Sequence, residues 1–474
     1  MTRWGILVMV CAAVAAHAAE QNPARNRDAS RPVQASRCND VPAHPFDLIL
    51  GRPTATAVTI SILCYQKTEG SIAYGTRPEH LARETPVRIF RQGEPAEIVL
   101  TGLQPDTRYY YRFRSAQASS DQFTFHTARP PGSTFTFTVT ADSHLDQNTD
   151  PAIYCQTLAT ALVDAPDFHI DLGDTFMTEK HESRENAARQ YLAQRYYFGT
   201  LCRSAPLFLV LGNHDGENPR GRGVRADDLA AWSSSMRKKY FPNPVPDGFY
   251  TGNATAHAAA GLLQDYYAWE WGDALFVVLD PFWFNRGQVG RDGGWSRSLG
   301  AEQYAWLRRT LEASRAEFKF IFIHHLVGGR NSQCRGGVEV ASLFEWGGKN
   351  GDGTDGFDRN RPGWPVPIHQ LLVRNHASIV FHGHDHLYAM EDLDGVIYQE
   401  IPQPGNRVDG RFPPFAAEYG YSKGVILGGS GHMRLTVSDG KVTADYVMAR
   451  SPADERPGRR NGEVAHSYSI SARR

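Results

Sequence analysis

Phe135-Thr-Phe-Thr-Val-Thr-Ala141 runs straight into Asp142-Ser-His144. A stretch so rich in β-branched and aromatic residues reads as a buried strand, and the polar residues behind it fall at its carboxyl end. In α/β sheets that end is where side chains from separated segments meet in one crevice. Further strand-like runs finish in the same manner. Leu172 is followed by Gly173-Asp174, Leu211 by Gly212-Asn213-His214-Asp215, Ile323 by His324-His325, and Phe381 by His382-Gly-His384-Asp-His386. Singly these residues read as a turn, a helix cap, a loop amide or a satisfied core histidine. In series, each directly behind an apolar run, they predict one shared polar site.

Working outward, β runs at 135–141, 168–172, 206–211, 275–279, 318–323, 378–381, 396–401 and 424–429 alternate with helical stretches at 152–164, 182–204, 301–316 and 367–375. That alternation predicts an α/β core whose sheets are covered by helices. Long connections at 216–261 and 328–364 interrupt it, and loops of such length in a compact domain are usually functional rims or lids. The second holds Gly347-Gly-Lys-Asn-Gly-Asp-Gly-Thr-Asp-Gly356, but a calcium-loop reading fails because the twelfth position from Asn350 is Arg361, not Glu. No phosphate-binding loop of the G-x-x-x-x-G-K-S/T type and no G-x-S-x-G nucleophile elbow occurs.

Ahead of the core, short runs at 57–63, 71–74, 87–90, 96–100, 109–113 and 122–126 are separated by Gly- and Pro-bearing turns. They predict a small all-β sandwich over 45–128. Arg129-Pro-Pro-Gly132 reads as a linker, 133–450 as the α/β domain and 451–474 as a polar tail. At the other end, an apolar run from Ile6 to Ala16 precedes Ala16-His17-Ala18, the small-x-small pattern of a secretory signal over 1–18. Residues 19–44 follow as a flexible polar leader. The expected location is therefore secreted or periplasmic. No later segment is long and apolar enough to span a membrane.

The 474 residues carry 50 Lys+Arg against 51 Asp+Glu, a formal charge of −1. Binding a polyanion needs a clustered cationic excess, so nucleic acid is not the main partner. In an oxidising compartment Cys38–Cys64 and Cys155–Cys202 are candidate pairs by domain, with Cys334 left over; the sequence leaves both this connectivity and the oligomeric state open.

The ordered motifs D-x-H, G-D, G-N-H-D, H and G-H-x-H resemble those of the calcineurin-like metallophosphoesterase family. Leu103-Gln-Pro105-Asp-Thr107-Arg-Tyr109 resembles the tyrosine corner of fibronectin type III-like domains. With Tyr74-Gly75 upstream, the first domain looks like that of purple acid phosphatase-like enzymes, although Leu63-Cys64 stands where those carry a core Trp. The resemblance implies a four-layer αββα metallophosphoesterase sandwich behind an all-β fibronectin type III-like domain. It implies two metal ions, one held by Asp142, His144, Asp174 and His386, the other by Asp174, Asn213, His324 and His384, with Asp174 shared. Of the adjacent histidines 324 and 325, the first is the implied ligand. His214 matches the family's non-ligand histidine and would give a proton to the leaving group, with Asp215 expected to orient its ring. His325, His382 and His181 are expected as outer or substrate contacts.

Carboxylate, carboxamide and imidazole donors without thiolate suit iron, manganese or zinc. Two divalent ions bring +4 and the two ligand carboxylates −2, and the remaining +2 attracts a phosphoryl group. Between ions about 3.5–4 Å apart a water loses a proton near neutral pH and becomes the nucleophile. Purple acid phosphatases take a tyrosinate ligand at the position of Met177, so this protein is expected not to be purple. The expected activity is hydrolysis of a small-molecule phosphate ester, most simply as a phosphatase. A phosphodiesterase or nucleotidase is the alternative, in which Trp232, Tyr240, Phe241, Trp283, Phe344 or Trp346 would stack on a base or ring. A non-catalytic interaction protein using the sandwich is the reading from another class.

Overall fold

The computed structural model describes residues 39–221, 223–286, 293–330, 333–406 and 413–473. The signal segment, the first part of the leader and Cys38 lie outside the described residues. From Phe46 to His126 the chain forms two facing antiparallel sheets. One has the order Phe46–Gly51, Val58–Cys64, Ala96–Leu100; the other runs Arg83–Glu84, Thr68–Gly75, Arg108–Ser115, Phe123–His126, with Arg88–Phe90 also paired to Thr68–Gly75. Along Arg108–Ser115 the side chains alternate, and Tyr109, Tyr111 and Phe113 are buried. This period of two is what a strand with one face on a core requires. The Gln104 amide donates to Tyr109 Oη at 2.8 Å, the corner contact the sequence implied.

The sandwich is bound to the second domain by buried polar groups. Tyr111 Oη donates to the Arg203 carbonyl at 2.6 Å. The fully buried Arg195 reaches Ser61 Oγ at 3.0 Å and the Ser61 carbonyl at 3.1 Å, and also bonds the Tyr240 carbonyl.

The second domain contains two sheets packed face to face. The first has the order Leu207–Leu209, Phe168–Asp171, Phe135–Thr140, Ser430–Ser438, Lys441–Ala449, Val464–Ser471. The second runs Thr251–Gly252, Tyr267–Trp271, Ala274–Val278, Phe318–Phe322, Ile379–His382, Val396–Glu400, Tyr388–Leu393, Val425–Leu427. In each, the strands that lead into the polar clusters are parallel. Phe137 of the first sheet lies 5.1 Å from Phe276 and 5.5 Å from Phe320 of the second, ring centre to ring centre. Fully burying each such ring contributes roughly 1.5–3 kcal/mol.

Helices Pro151–Val163 and Arg184–Cys202 cover the first sheet, with Leu158, Phe198 and Leu201 turned inward. Gly300–Ala313 and Ile368–Arg374 cover the second through Leu307, Leu311, Leu371 and Leu372. The layers are αββα, as expected. The first helix starts where Asp150 Oδ1 accepts from the Ala152 amide at 2.9 Å and Pro151 occupies the first turn, where a missing N–H costs nothing.

Several expectations need correction. The supposed polar tail contains Val464–Ser471, the outermost strand of the first sheet. Its sparse apolar residues, Tyr468 and Ile470, pack against the inter-sheet core, which an alternating edge strand achieves with few hydrophobic positions. The connection 216–261 includes the helix Leu229–Tyr240, and 328–364 includes the single turns Phe344–Gly347 and Phe357–Asn360. Among the described residues Cys64, Cys155, Cys202 and Cys334 are free thiols, so the Cys155–Cys202 pairing does not form. No helix among the described residues is long and apolar enough to cross a membrane.

Candidate metal centre

The strand-end clusters converge. Asp142, His144 and His386 place one donor atom each within 4.8 Å of one another, and Asp174, His324 and His384 form a second such group. The backbone is bent to do this: Asp142, His144, Asp174, His384 and His386 all have left-handed φ, between +53° and +81°. Non-glycine residues hold that conformation, at about 1–3 kcal/mol each, only where neighbours impose it. The Asp142 amide bonds the Gly173 carbonyl at 2.9 Å and the His144 amide the Asp174 carbonyl at 3.1 Å, zipping two strand-end turns together. Gly212 packs against Asp174 so closely that a Cβ would strike its amide and carboxylate, which explains the glycine of the G-N-H segment.

Distances among the donors fit ions rather than hydrogen bonds. Asp174 Oδ2 is 3.5 Å from both His144 Nε2 and His324 Nε2. Asp142 Oδ1 is 3.6 Å from His144 Nε2 and 3.5 Å from His386 Nε2. These exceed hydrogen-bond length, whereas two ligands at about 2.0–2.2 Å from one metal lie roughly 3–3.5 Å apart. Asp142 Oδ1 and His144 Nε2 are buried without a hydrogen-bond partner. Such orphans suit a site built for cations. Asp174 Oδ2 faces members of both groups and is placed to be shared.

His324 Nδ1 lies 2.9 Å from the Leu172 carbonyl, which can only accept, so this nitrogen carries hydrogen and Nε2 faces the centre. Asn213 Oδ1 stands 3.0 Å from that Nε2, within hydrogen-bond reach, which sets the amide beside the second group. Burial disfavours charge on His324, yet the Asp174 and Asp142 carboxylates outweigh it and raise the imidazole to about 9. A field that holds a proton so firmly is equally suited to a metal cation.

The structure differs from expectation around His214. Its Nε2 is 3.9 Å from Asp174 Oδ2, at the edge of the centre, and its Nδ1 bonds Glu179 Oε1 at 2.7 Å. Glu179, not Asp215, orients the ring, and Arg220 bonds its other oxygen at 3.2 Å. Burial opposes the Glu179 charge, but His214 holds its carboxyl below the usual range. Asp215 Oδ1 accepts from the Thr175 and Phe176 amides at 2.8 Å each and Oδ2 from the Gly212 amide at 2.7 Å. It is thereby occupied in joining the G-D turn to the G-N-H turn. Glu179 escaped sequence reading because it sits in a short turn, Thr178–Lys180, outside every motif.

The remaining histidines lie further out. His325 Nδ1 bonds the Leu326 carbonyl at 3.0 Å, and its ring is 5.3 Å from that of His384. His382 Nδ1 faces Glu400 Oε2 at 2.5 Å. His181 Nε2 is 2.6 Å from Gln190 Oε1, and Gln190 in turn bonds the His144 carbonyl. Met177 occupies the tyrosinate position and is buried. Of the aromatic residues considered for stacking, Tyr240, Phe241, Trp283 and Trp346 are buried in packing, Phe344 lies against Trp295 and Trp232 against Tyr191.

A family model described as calcineurin-like phosphoesterase matches residues 135–388. The chain belongs to the calcineurin-like phosphoesterase family. A second model, the purple acid phosphatase N-terminal domain, matches residues 44–127. No curated protein sequence matches the chain. Among solved structures, one of PhoD is similar over 91% of this chain and 91% of its own, with a TM-score of 0.64 at 15% identity. The purple acid phosphatase PPD1 from seeds of yellow lupin (Lupinus luteus) is similar over 90% of this chain and 74% of its own, with a TM-score of 0.58 at 13% identity. These likenesses extend over both domains. As a calcineurin-like phosphoesterase the protein is a phosphoester hydrolase of a family that uses a dinuclear metal centre, and two neighbouring donor groups, with Asp174 Oδ2 3.5 Å from a histidine of each, fit that requirement.

Proposed function

We propose that the protein is a phosphatase acting on small phosphate esters outside the cytoplasm, with two ions of iron, manganese or zinc at the strand ends. The observation that carries this reading is the placement of Asp174 Oδ2 at 3.5 Å from one histidine of each donor group. When bound, such a pair of ions would supply positive charge for the phosphoryl oxygens and lower the pKa of an attacking water. One ion would be held by Asp142, His144, Asp174 and His386, the other by Asp174, Asn213, His324 and His384.

The chain's own groups do the rest. Asn213 contributes an uncharged donor, which preserves the cationic excess. Glu179 accepts from His214 Nδ1, so the other ring nitrogen points to the reacting centre and can hold the proton that a departing alkoxide needs. The signal-like segment at 1–18 supports export.

Elemental analysis of the purified protein, followed by rates on an aryl phosphate and a bis-aryl phosphate with the same metal-defined sample, tests the reading. About two equivalents of metal and faster monoester turnover are expected. Asp174→Asn should lose both metal and turnover. Full activity in that variant would contradict the shared-ligand role.

A further inference from the structure

His384 and His386 both occupy left-handed backbone, with φ of +81° and +60°. The His384 amide donates to Asp142 Oδ2 at 2.8 Å, and the residue between the two histidines is held on several sides. The Asp385 amide donates to Glu400 Oε1 at 2.9 Å. Its buried carboxylate accepts from Arg335 Nη1 at 2.9 Å, the Gly336 amide at 2.8 Å and Tyr421 Oη at 2.8 Å. Arg335 Nη1 also donates to the His384 carbonyl at 2.8 Å, and its guanidinium lies 4.2 Å from the centre of the Tyr419 ring. One planar cation thus fixes a ligand's backbone and its neighbour's side chain together.

The same segment orients the His384 ring. The Gln333 carbonyl lies 2.6 Å from His384 Nε2, and a carbonyl only accepts. The hydrogen is therefore on Nε2, which leaves the Nδ1 lone pair for the group formed with Asp174 and His324. Residues 333–336 belong to the long connection 328–364, so the rim expected from its length makes specific contact with His384 and with Asp385, the residue between the two histidines.

We propose that residues 333–336 form a strap that sets how tightly the centre holds metal, with Arg335 and Asp385 as positioning residues for His384 and His386. The proposal rests on the reading that these two histidines ligate metal. Neither Arg335 nor Asp385 is among the donor groups; both act through the histidines. Loss of comparable outer partners weakens metal binding by roughly 10–100-fold.

The test uses the full chain, stripped of metal and titrated with Co2+ while its visible absorption is followed. Arg335→Gln should bind Co2+ about 10–100-fold more weakly than wild type and shift the absorption band. At saturating Co2+ its kcat on an aryl phosphate should return towards wild type, and Arg335→Lys should recover part of the affinity. Should Arg335→Gln not fold, Asp385→Asn, which keeps an acceptor oxygen, is held to the same criteria. A folded variant that binds Co2+ as tightly as wild type with an unshifted band overturns the proposal. Wild-type protein that binds Co2+ but hydrolyses no phosphate ester would overturn the phosphatase reading instead, and the comparison of titrations would still decide the strap.

Discussion

Glu179 and Asp215 exchange the places a reading by adjacency gives them. Asp215 follows His214 in the chain, yet its carboxylate is held by three amides, while Glu179 meets the ring from a separate turn. The candidate metal donors were legible because each directly follows an apolar strand; an orienting carboxylate has no such tie and can come from any nearby turn. Glu179→Gln should lower kcat on an aryl phosphate by about tenfold to a hundredfold, against roughly 10²–10⁴-fold for His214→Ala, with metal content unchanged in both. A Glu179→Gln variant as fast as wild type would remove the orienting role.

At the scale of elements, the alternation of apolar runs located nearly every strand and helix around the centre. The strands missed lie further out: Tyr267–Trp271, Tyr388–Leu393, Ser430–Ser438, Lys441–Ala449 and Val464–Ser471. In two of them burial is not written in hydrophobicity: Tyr388–Leu393 carries Glu391 fully inside, and half of Val464–Ser471 is Ser or Ala on an exposed edge. Contacts between elements were equally hidden: at the end of helix Pro151–Val163, Asp164 bonds His432 Nε2 at 2.7 Å and Arg434 Nη1 at 2.8 Å on strand Ser430–Ser438. Burial raises the Asp164 carboxyl, but these two partners outweigh it and bring it below the ordinary 3.8. Its contribution to stability is therefore complete above pH 3.8 and is lost as pH falls through the lower folded value. Melting temperatures of wild type and Asp164→Asn should differ near neutrality and converge in strong acid. A constant gap across that range would show that the ion pair is not what the helix end depends on.

For the whole molecule, the two-domain order and the αββα layers followed from periodicity and from the family resemblance. The joint between domains did not, since Arg195 and Tyr111 look like ordinary surface-helix and strand residues until they are seen against Ser61 and Arg203. Asp142, His144, Asp174 and Asn213 follow strands of the first sheet, while His324, His384 and His386 follow strands of the second. An ion held by both sets would be a rivet through the middle of the layered stack. Chelation should therefore do more than stop turnover. A ligand bound only to the native state adds about 2.7 kcal/mol when present at 100 times its dissociation constant, so EDTA-treated protein should melt measurably lower and regain its heat resistance on re-addition of manganese or zinc. Metal supply would then govern how long the molecule survives as well as how fast it works.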